Sequence, residues 1–405
     1  MNSRPDSPSK AIFKKLLKNI PATVGLAVIV LAVFIAVFGV LFIPDHSLNA
    51  NETATELRKL PSGNSVMFLK PKKAFEVEYS SFFSRLFIGQ TPDYLLLPIS
   101  SYIIKDDLEI SYTSFVGGSG HIPLVKFHNS VKKDSLGNWY SVNGDEVSFV
   151  TSHNEIMTVS RQELVKRFEE TGVMKRTFIL GTDSAGRDIF SRLVYGAKVS
   201  VSVGFVSVII SLLVGVFIGA VAGYSKGWVD SVLMWFVTVV WSIPGIMIII
   251  AISLALNSKG IWVVFIAVGL TMWVDVARVV RGQFLEAREY LYVDAARALG
   301  VSPTRIVLRH ILPNISGPII VMATANFASA ILIEAGLSFI GIGVEPPTPS
   351  WGAMVREGYN LMSADIVGDS GAFGVLLYPS LCISLLVFAF NLFGNGIRDA
   401  IDPKN

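Results

Sequence analysis

The first residues to weigh are those whose types and spacing could do chemistry. Gly181 to Asp188, "GTDSAGRD", has the glycine spacing of a phosphate loop. In such a loop backbone N–H groups cradle phosphates, and a lysine and a magnesium-holding hydroxyl complete the site. Here Arg187 stands in the lysine position and Asp188 in the hydroxyl position. A carboxylate there repels phosphate, and no strand–loop–helix context surrounds it. The segment reads instead as a capped, partly amphipathic helix at a membrane interface, with Ile189, Leu193 and Val194 turned to lipid or the next span. The five histidines, His46, His121, His128, His153 and His310, have no metal-ligand spacing. No Ser-His-Asp set can be chosen from spacing, because a triad is defined by geometry. The single cysteine, Cys382, excludes an internal disulfide and a cysteine metal cluster. No catalytic residue, bound cofactor or metal site is expected on this chain.

The remaining candidate is "DAARALGVSPTRIVLRHIL", Asp294–Leu312. Two short helices joined through a glycine turn are the layout of a DNA-reading helix-turn-helix. A reader needs polar side chains on its second helix. Ile306, Val307, Leu308 and Ile311 leave only Thr304, Arg305, Arg309 and His310 for that task, and apolar blocks flank both sides. The stretch reads better as a docking hook. Asp294–Gly300 form its first helix and Pro303–His310 its second. Gly300 fits a left-handed residue after a helix, Ser302 a cap, and Pro303 a first helical position. Ala295 and Ala296 are small enough for another surface to approach closely.

The elements that carry this hook belong to a membrane. Of the 405 residues 52% are hydrophobic and only 16% charged, against about 25% charged in soluble domains. The net charge of +3 is too small and dispersed to imply nucleic acid. The first 19 residues carry Arg4, Lys10, Lys14, Lys15 and Lys18 against Asp6. An uncharged run over residues 20–44 follows. It is long enough to span a bilayer and lacks a small-residue cleavage site. The basic flank places the N-terminus in the cytoplasm. Residues 45–178 then read as an extracytoplasmic insertion. β-like runs ("SVMFL", "DYLLLPISSYII", "LEISYTSFV", "EVSFVTS") alternate there with turn signals ("PSGN", "GGSG", "SLGN", "VNGD"). One helix, "SRQELVKRFEETG", is capped by Ser160 and stopped by Gly172. Residues 179–405 hold five further spans, near Val199–Gly223, Val232–Leu256, Ile261–Val280, Ile315–Ile333 and Phe373–Phe393. Six spans put both termini in the cytoplasm together with the loop at 284–314, which is rich in arginine as the positive-inside bias expects.

"DAARALGVSPTRIVLRHILPN" resembles the EAA loop of ATP-binding-cassette (ABC) importer permeases. Asp294, Ala295, Ala296, Gly300, Leu312 and Pro313 fall in register with that pattern. Asp294 replaces its Glu, and His310 stands where the general pattern has Ile. "LGTDSAGRDIFSRLVYGAKVSVSVG", "ILIEAGLSFIGIGVEPPTPSWGAM" and "GNGIRDAIDPK" are similar to the peptide and nickel branch, second permease type. Asn395 departs from the Asp common in that tail. The resemblance covers Leu180 to the end and the first span, but not residues 45–178.

It implies an all-α polytopic membrane protein of six transmembrane helices, like type I ABC importer permeases, carrying an α+β, β-rich extracytoplasmic insertion domain. It implies a permease subunit of an ATP-driven importer in a bacterial inner membrane, working by alternating access. The partners would be a sister permease, two cytoplasmic ATPases that bind ATP and magnesium, an extracytoplasmic binding protein and the lipid bilayer, with no nucleic acid. The coupling role falls on Asp294, Ala295, Ala296, Arg297, Gly300, Ser302, Pro303, Leu308 and Pro313. Polar or helix-breaking residues inside spans are the pathway candidates: Pro244, which should bend its span, Asn326, and Glu334. Glu334, with Asp275, is expected near a membrane face in an interfacial or inter-subunit ion pair. The alternative is an ABC-type assembly that uses the same hook for signalling or force. A secondary transporter would need a denser ionisable network inside its spans.

Overall fold

The computed structural model describes residues 14–401 except 78–80, 82–83, 85–88, 106–107, 259 and 365–369. Arg4, Lys10 and the last four residues of the tail lie outside the described residues. The helices in chain order are α1 Ile20–Phe38, α2 Arg161–Thr171, α3 Ile189–Ser225, α4 Trp228–Trp241, α5 Gly245–Ala255, α6 Ile261–Ala287 and α7 Leu291–Ala298. They continue with α8 Pro303–Ile306, α9 Leu312–Asn314, α10 Ser316–Ile340, α11 Trp351–Ala364 and α12 Ser370–Ile401. The chain divides into two compact units. One comprises Met1–Ala36, Gly196–Arg356 and Tyr378–Asn405, and the other Val37–Tyr195 and Glu357–Leu377.

Among the described residues five helices are long and apolar enough to cross a membrane: Ile20–Leu41, Ile189–Ser225, Ile261–Ala287, Ser316–Ile340 and Phe373–Ile401. The expected span at Val232–Leu256 is instead two helices, α4 and α5, meeting at 88°. Pro244 lies at that break with extended backbone, and its carbonyl accepts the Met247 N–H at 2.9 Å to start α5. A proline cannot donate to the preceding turn, so α4 ends before it.

Helix α3 packs on α6 through a glycine ridge, Gly215, Gly219 and Gly223, spaced four residues apart. A Cβ on Gly219 would lie 2.6 Å from the Ala277 carbonyl oxygen and 2.8 Å from the Val280 Cβ. Small residues at this spacing let helix backbones approach without an intervening side chain, a packing mode suited to lipid. Arg281 of α6 clamps Asp230 of α4 with two hydrogen bonds, at 2.6 and 2.7 Å.

The other unit contains two antiparallel sheets. The first, in order β4-β3-β2-β1-β9, comprises β1 Asn64–Leu69, β2 Leu97–Lys105, β3 Glu109–Ser114, β4 Ser119–Pro123 and β9 Val173–Phe178. The second is built from β5 Val131–Lys132, β6 Ser141–Asn143, β7 Glu146–Thr151 and β8 Ile156–Ser160. Inward-facing Ile99, Ile110, Val147 and Phe149 share a core with Leu164 and Phe168 of α2. Ser160 caps α2 by accepting the Glu163 N–H at 3.2 Å, and Gly172 follows its last residue.

The "GTDSAGRD" segment corrects the expectation of a separate interfacial helix. It is a turn, pinned by a bridge between Thr182 and Asp188, and α3 starts directly after it. Ile189 is buried rather than turned to lipid. One Asp183 carboxylate oxygen accepts the Ala185 and Arg187 N–H groups at 2.9 and 3.0 Å; the other accepts Arg187 Nε at 2.6 Å. Arg187 also reaches Glu357 and Asn51 at 3.0 and 3.1 Å. Loop N–H groups already spent on Asp183 cannot cradle a phosphate.

Candidate coupling site

The hook begins three residues earlier than the expected Asp294, at Leu291. Its turn is a Schellman motif: Val301 N–H bonds the Ala296 carbonyl at 3.1 Å, and Gly300 N–H bonds that of Arg297 at 2.9 Å. Gly300 has φ +73°, the left-handed backbone the spacing called for. Pro303 occupies the first turn of α8 and Ser302 its N-cap position, but the Ser302 side chain makes no capping hydrogen bond. The expected hydroxyl cap is therefore corrected: α8 starts from the proline's preset backbone without a side-chain cap.

The expected second helix Pro303–His310 is also corrected. α8 stops at Ile306, and Val307–Ile311 form a π-helical turn that leads into α9. Pro313 cannot donate to the carbonyl of Arg309 and its ring would collide with it in an ordinary helix. A widened turn relieves that collision.

The hook has an inner and an outer face. Val293, Ala296, Ile306 and Ile311 are buried with Ala220 of α3 and Val276, Val280 and Phe284 of α6. Ala296 is therefore a floor residue against its own helices, not an approach surface. Asp294, Ala295, Arg297, Gly300, Ser302, Pro303 and Pro313 are exposed. Arg297 pairs with Asp294 at 3.1 Å and lies 5.7 Å over the Tyr224 ring. The outer face also displays Leu291 at 87% and Leu299 at 83% exposure, which composition alone did not single out. Leu308 lines an apolar groove of about 720 Å³ with Pro303, Val307, Leu213, Phe217 and Tyr224. At the base of the hook Lys226 donates to Glu289 at 3.1 Å and holds that carboxyl below its ordinary range.

The structure does not gather the three pathway candidates into one site. Pro244 is the α4–α5 break, and Asn326, half-buried in α10, has a side-chain nitrogen without a hydrogen-bond partner among the described residues. Glu334 corrects its expectation. It is fully buried and meets hydroxyls rather than a basic partner: Ser338 donates at 2.8 Å and Ser200 of α3 at 3.1 Å. Those serine oxygens in turn accept the N–H groups of Val344 at 3.2 Å and Trp351 at 3.4 Å. Ser350, which caps the Ala353 N–H at 3.2 Å, donates to Ser338 at 3.3 Å. One carboxylate thus ties α3, α10, the 341–350 loop and the first turn of α11 together.

Known proteins are similar in sequence to the C-terminal part of this chain. Residues 215–405 match the family described as binding-protein-dependent transport system inner membrane component. The dipeptide transport system permease protein DppC of Bacillus subtilis (strain 168) is 40% identical over 224 residues, 55% of this chain and 68% of that protein. The glutathione transport system permease protein GsiD of Pectobacterium atrosepticum is 40% identical over 225 residues, 56% of this chain and 72% of that protein. The oligopeptide transport system permease protein OppC of Bacillus subtilis (strain 168) is 37% identical over 224 residues, 55% of this chain and 71% of that protein. A solved structure of the inward-facing MetNI methionine ABC transporter aligns with a TM-score of 0.42 at 18% identity, over 52% of this chain and 97% of that one. With apolar helices that can cross a bilayer, a two-helix hook bolted to two of them, and relatives matched over more than two thirds of their length, this chain belongs to the binding-protein-dependent transport system inner membrane components, the permease subunits of ABC importers.

Proposed function

We propose that this chain is one permease of an ATP-driven importer for peptides or related small solutes, and that α7 to α9 are its coupling element. The observation that carries the reading is the hook. Its inner face is fixed to α3 and α6, and its outer face is small, exposed and apolar around Leu299. A rigid knob on span ends transmits motion; a flexible loop would absorb it. In this reading the bent pair α4–α5 counts as one span, giving six, with both termini and the hook in the cytoplasm. Residues 45–178 form an extracytoplasmic insertion and 179–405 the permease core. A sister permease completes the pathway, two ATPases carrying ATP and magnesium seat the hooks, and a binding protein delivers solute. Asp294, Ala295, Arg297, Gly300, Ser302 and Pro303 meet the ATPase. Pro244, Asn326 and Glu334 shape the reorienting spans. The peptide-type relatives favour solute uptake over signalling by the same hook.

The test is purification of the tagged chain in mild detergent, with its co-purifying subunits identified and ATP hydrolysis and labelled-peptide uptake measured in proteoliposomes. A sister permease and ATPases that are lost when the hook is disrupted are the expected result. A chain that purifies alone, without nucleotide activity, would refute the proposal.

A further inference from the structure

The β-rich unit carries a strip of lysines interleaved with aromatic rings. Lys70 lies 5.0 Å over Tyr94, and Lys73 5.8 Å over Phe75. Lys126 lies 3.7 Å and Lys133 5.3 Å over the single ring of Trp139. The two halves are adjoined by the Lys72 N–H, which bonds the Lys126 carbonyl at 2.7 Å. Of Lys70, Lys72, Lys73, Lys126 and Lys133, the structure gives a carboxylate hydrogen-bond partner to Lys72, in Asp93. The nearby Asp134 is occupied by the N–H groups of Leu136 and Asn138 at 2.9 and 2.8 Å. Burial, and then the charge of Lys133, pull the Lys126 ammonium below the ordinary lysine range. Lys126 and Lys133 thus crowd like charges over one ring, while Glu52 acts on Lys73 at the other end of the strip.

The position of the strip follows from the chain. The first span ends at Leu41, and the Pro44 carbonyl accepts from Arg176 at 3.2 Å. Pro44 and Arg176 line a cavity of about 180 Å³ whose other walls include Asp93 and Tyr94, the residues that hold Lys72 and Lys70. The strip therefore starts one small cavity away from Pro44, three residues beyond the end of that span. Surface charge acts over about 8–10 Å at ordinary ionic strength, the range over which ammonium groups attract headgroup phosphates. Phe75 is 63% exposed at the edge of the strip. Aromatic rings beside cationic side chains are what the bilayer interface favours.

We infer that Lys70, Lys73, Lys126 and Lys133, with Phe75 and Trp139, form a docking surface for anionic phospholipid headgroups of the bilayer that α1 crosses. Charge complementarity favours this occupant, and the exposed ring and the closeness to the span end favour lipid over a soluble acidic protein. The inference rests on α1 being a span but not on the solute or on the coupling role of the hook.

The test uses the full chain in its assembly, with Cys382→Ser and Ala74→Cys to carry a spin label at an exposed position. Proteoliposomes of phosphatidylcholine alone are compared with equimolar phosphatidylcholine and phosphatidylglycerol. The expected result is that phosphatidylglycerol shields the label from a water-soluble relaxant and that high salt reverses this. Changing all four lysines to Gln should abolish the shielding, while changing them to Arg should retain it. Phosphatidylglycerol retention in detergent should weaken about fivefold for each lysine neutralised. Equal accessibility in the two lipids would overturn the inference, as would shielding that appears only when an acidic binding protein is added. The comparison of lipids needs no lysine variant, so it stands even if the Gln variant does not fold. Peptide uptake can fail while the lipid effect persists, which keeps the two proposals separable.

Discussion

Gly300 offers a perturbation whose cost is purely conformational. Its φ is +73°, and a Cβ added there would meet nothing within 4 Å. No clash contributes, so the cost of a side chain is the cost of holding an L-residue in the left-handed region. For Ala that is about 1–2 kcal/mol. Asn tolerates the region and should cost less than about 1 kcal/mol, whereas β-branched Val should exceed about 2 kcal/mol. One to two kcal/mol corresponds to about a 5- to 30-fold shift between the native turn and its alternatives. The penalty falls on the joint between α7 and α8, while Ala296 and Ile306 on either side stay buried. The assay is peptide uptake per ATP hydrolysed in proteoliposomes. Coupling should decline in the order Gly, Asn, Ala, Val, with the thermal midpoint of the assembly nearly unchanged. Equal coupling in the Asn and Val variants would refute the reasoning, because the two differ chiefly in tolerance of positive φ.

Three further outcomes are expected. Leu299→Asp should leave the unfolding midpoint unchanged and strip the ATPases during purification, since Leu299 is 83% exposed on the hook; full ATPase retention would contradict its contact role. Glu334→Leu should destabilise by about 1–3 kcal/mol for each donor left without an acceptor, and Glu334→Gln by less, because its amide oxygen still accepts from Ser200 or Ser338. A Leu variant as stable as the parent by thermal unfolding would show that the serine node does not hold. Arg176→Gln tests a pH dependence. Burial raises the Glu52 carboxyl above its ordinary value, and Arg176, 3.0 Å away, is the chief opposing pull. The folded state therefore binds this proton more tightly than the unfolded chain, and stability falls as pH rises from the ordinary carboxylate range through the folded value. Removing Arg176 extends that window upward, so the variant's deficit in unfolding midpoint should grow with pH. A deficit that stays constant across the acidic-to-neutral range would rule this out.

Much of this architecture was legible in the residues, for identifiable reasons. Apolar runs near bilayer length located five of the expected spans, and Gly300 and Pro303 gave the hook's turn because only certain residues fit such backbones. Ser160 and Gly172 bounded α2 for the same local reason. What the sequence hid was mostly non-local. The face of Ala296 depends on where Ala220 and Phe284 lie, and no window of the chain contains all three. Glu334 looked like half of an ion pair because its partners, Ser200, Ser338 and Ser350, are uncharged and come from distant segments. Two further signals are local. Gly215, Gly219 and Gly223 repeat every four residues, which announces a close helix crossing. Ser350, three residues before Ala353, announces the start of α11. The π turn needed a different reading of Pro313, as a cause acting backward on the preceding turn.

The pairing of β1 with β9 has a consequence for how this protein can vary. The chain enters its first sheet at Asn64 and leaves it at Phe178, and these two residues are register partners on neighbouring strands. The Gly63 N–H even bonds the Phe178 carbonyl, at 2.8 Å. Everything folded between them hangs from a doorway one strand spacing wide. Material can be added, trimmed or exchanged beyond that doorway while the distance between its posts stays the same. Tolerated insertions elsewhere share this property of closely spaced ends. Changes in length beyond Asn64 and Phe178 would in that sense leave the chain's entry to and exit from the sheet where they are.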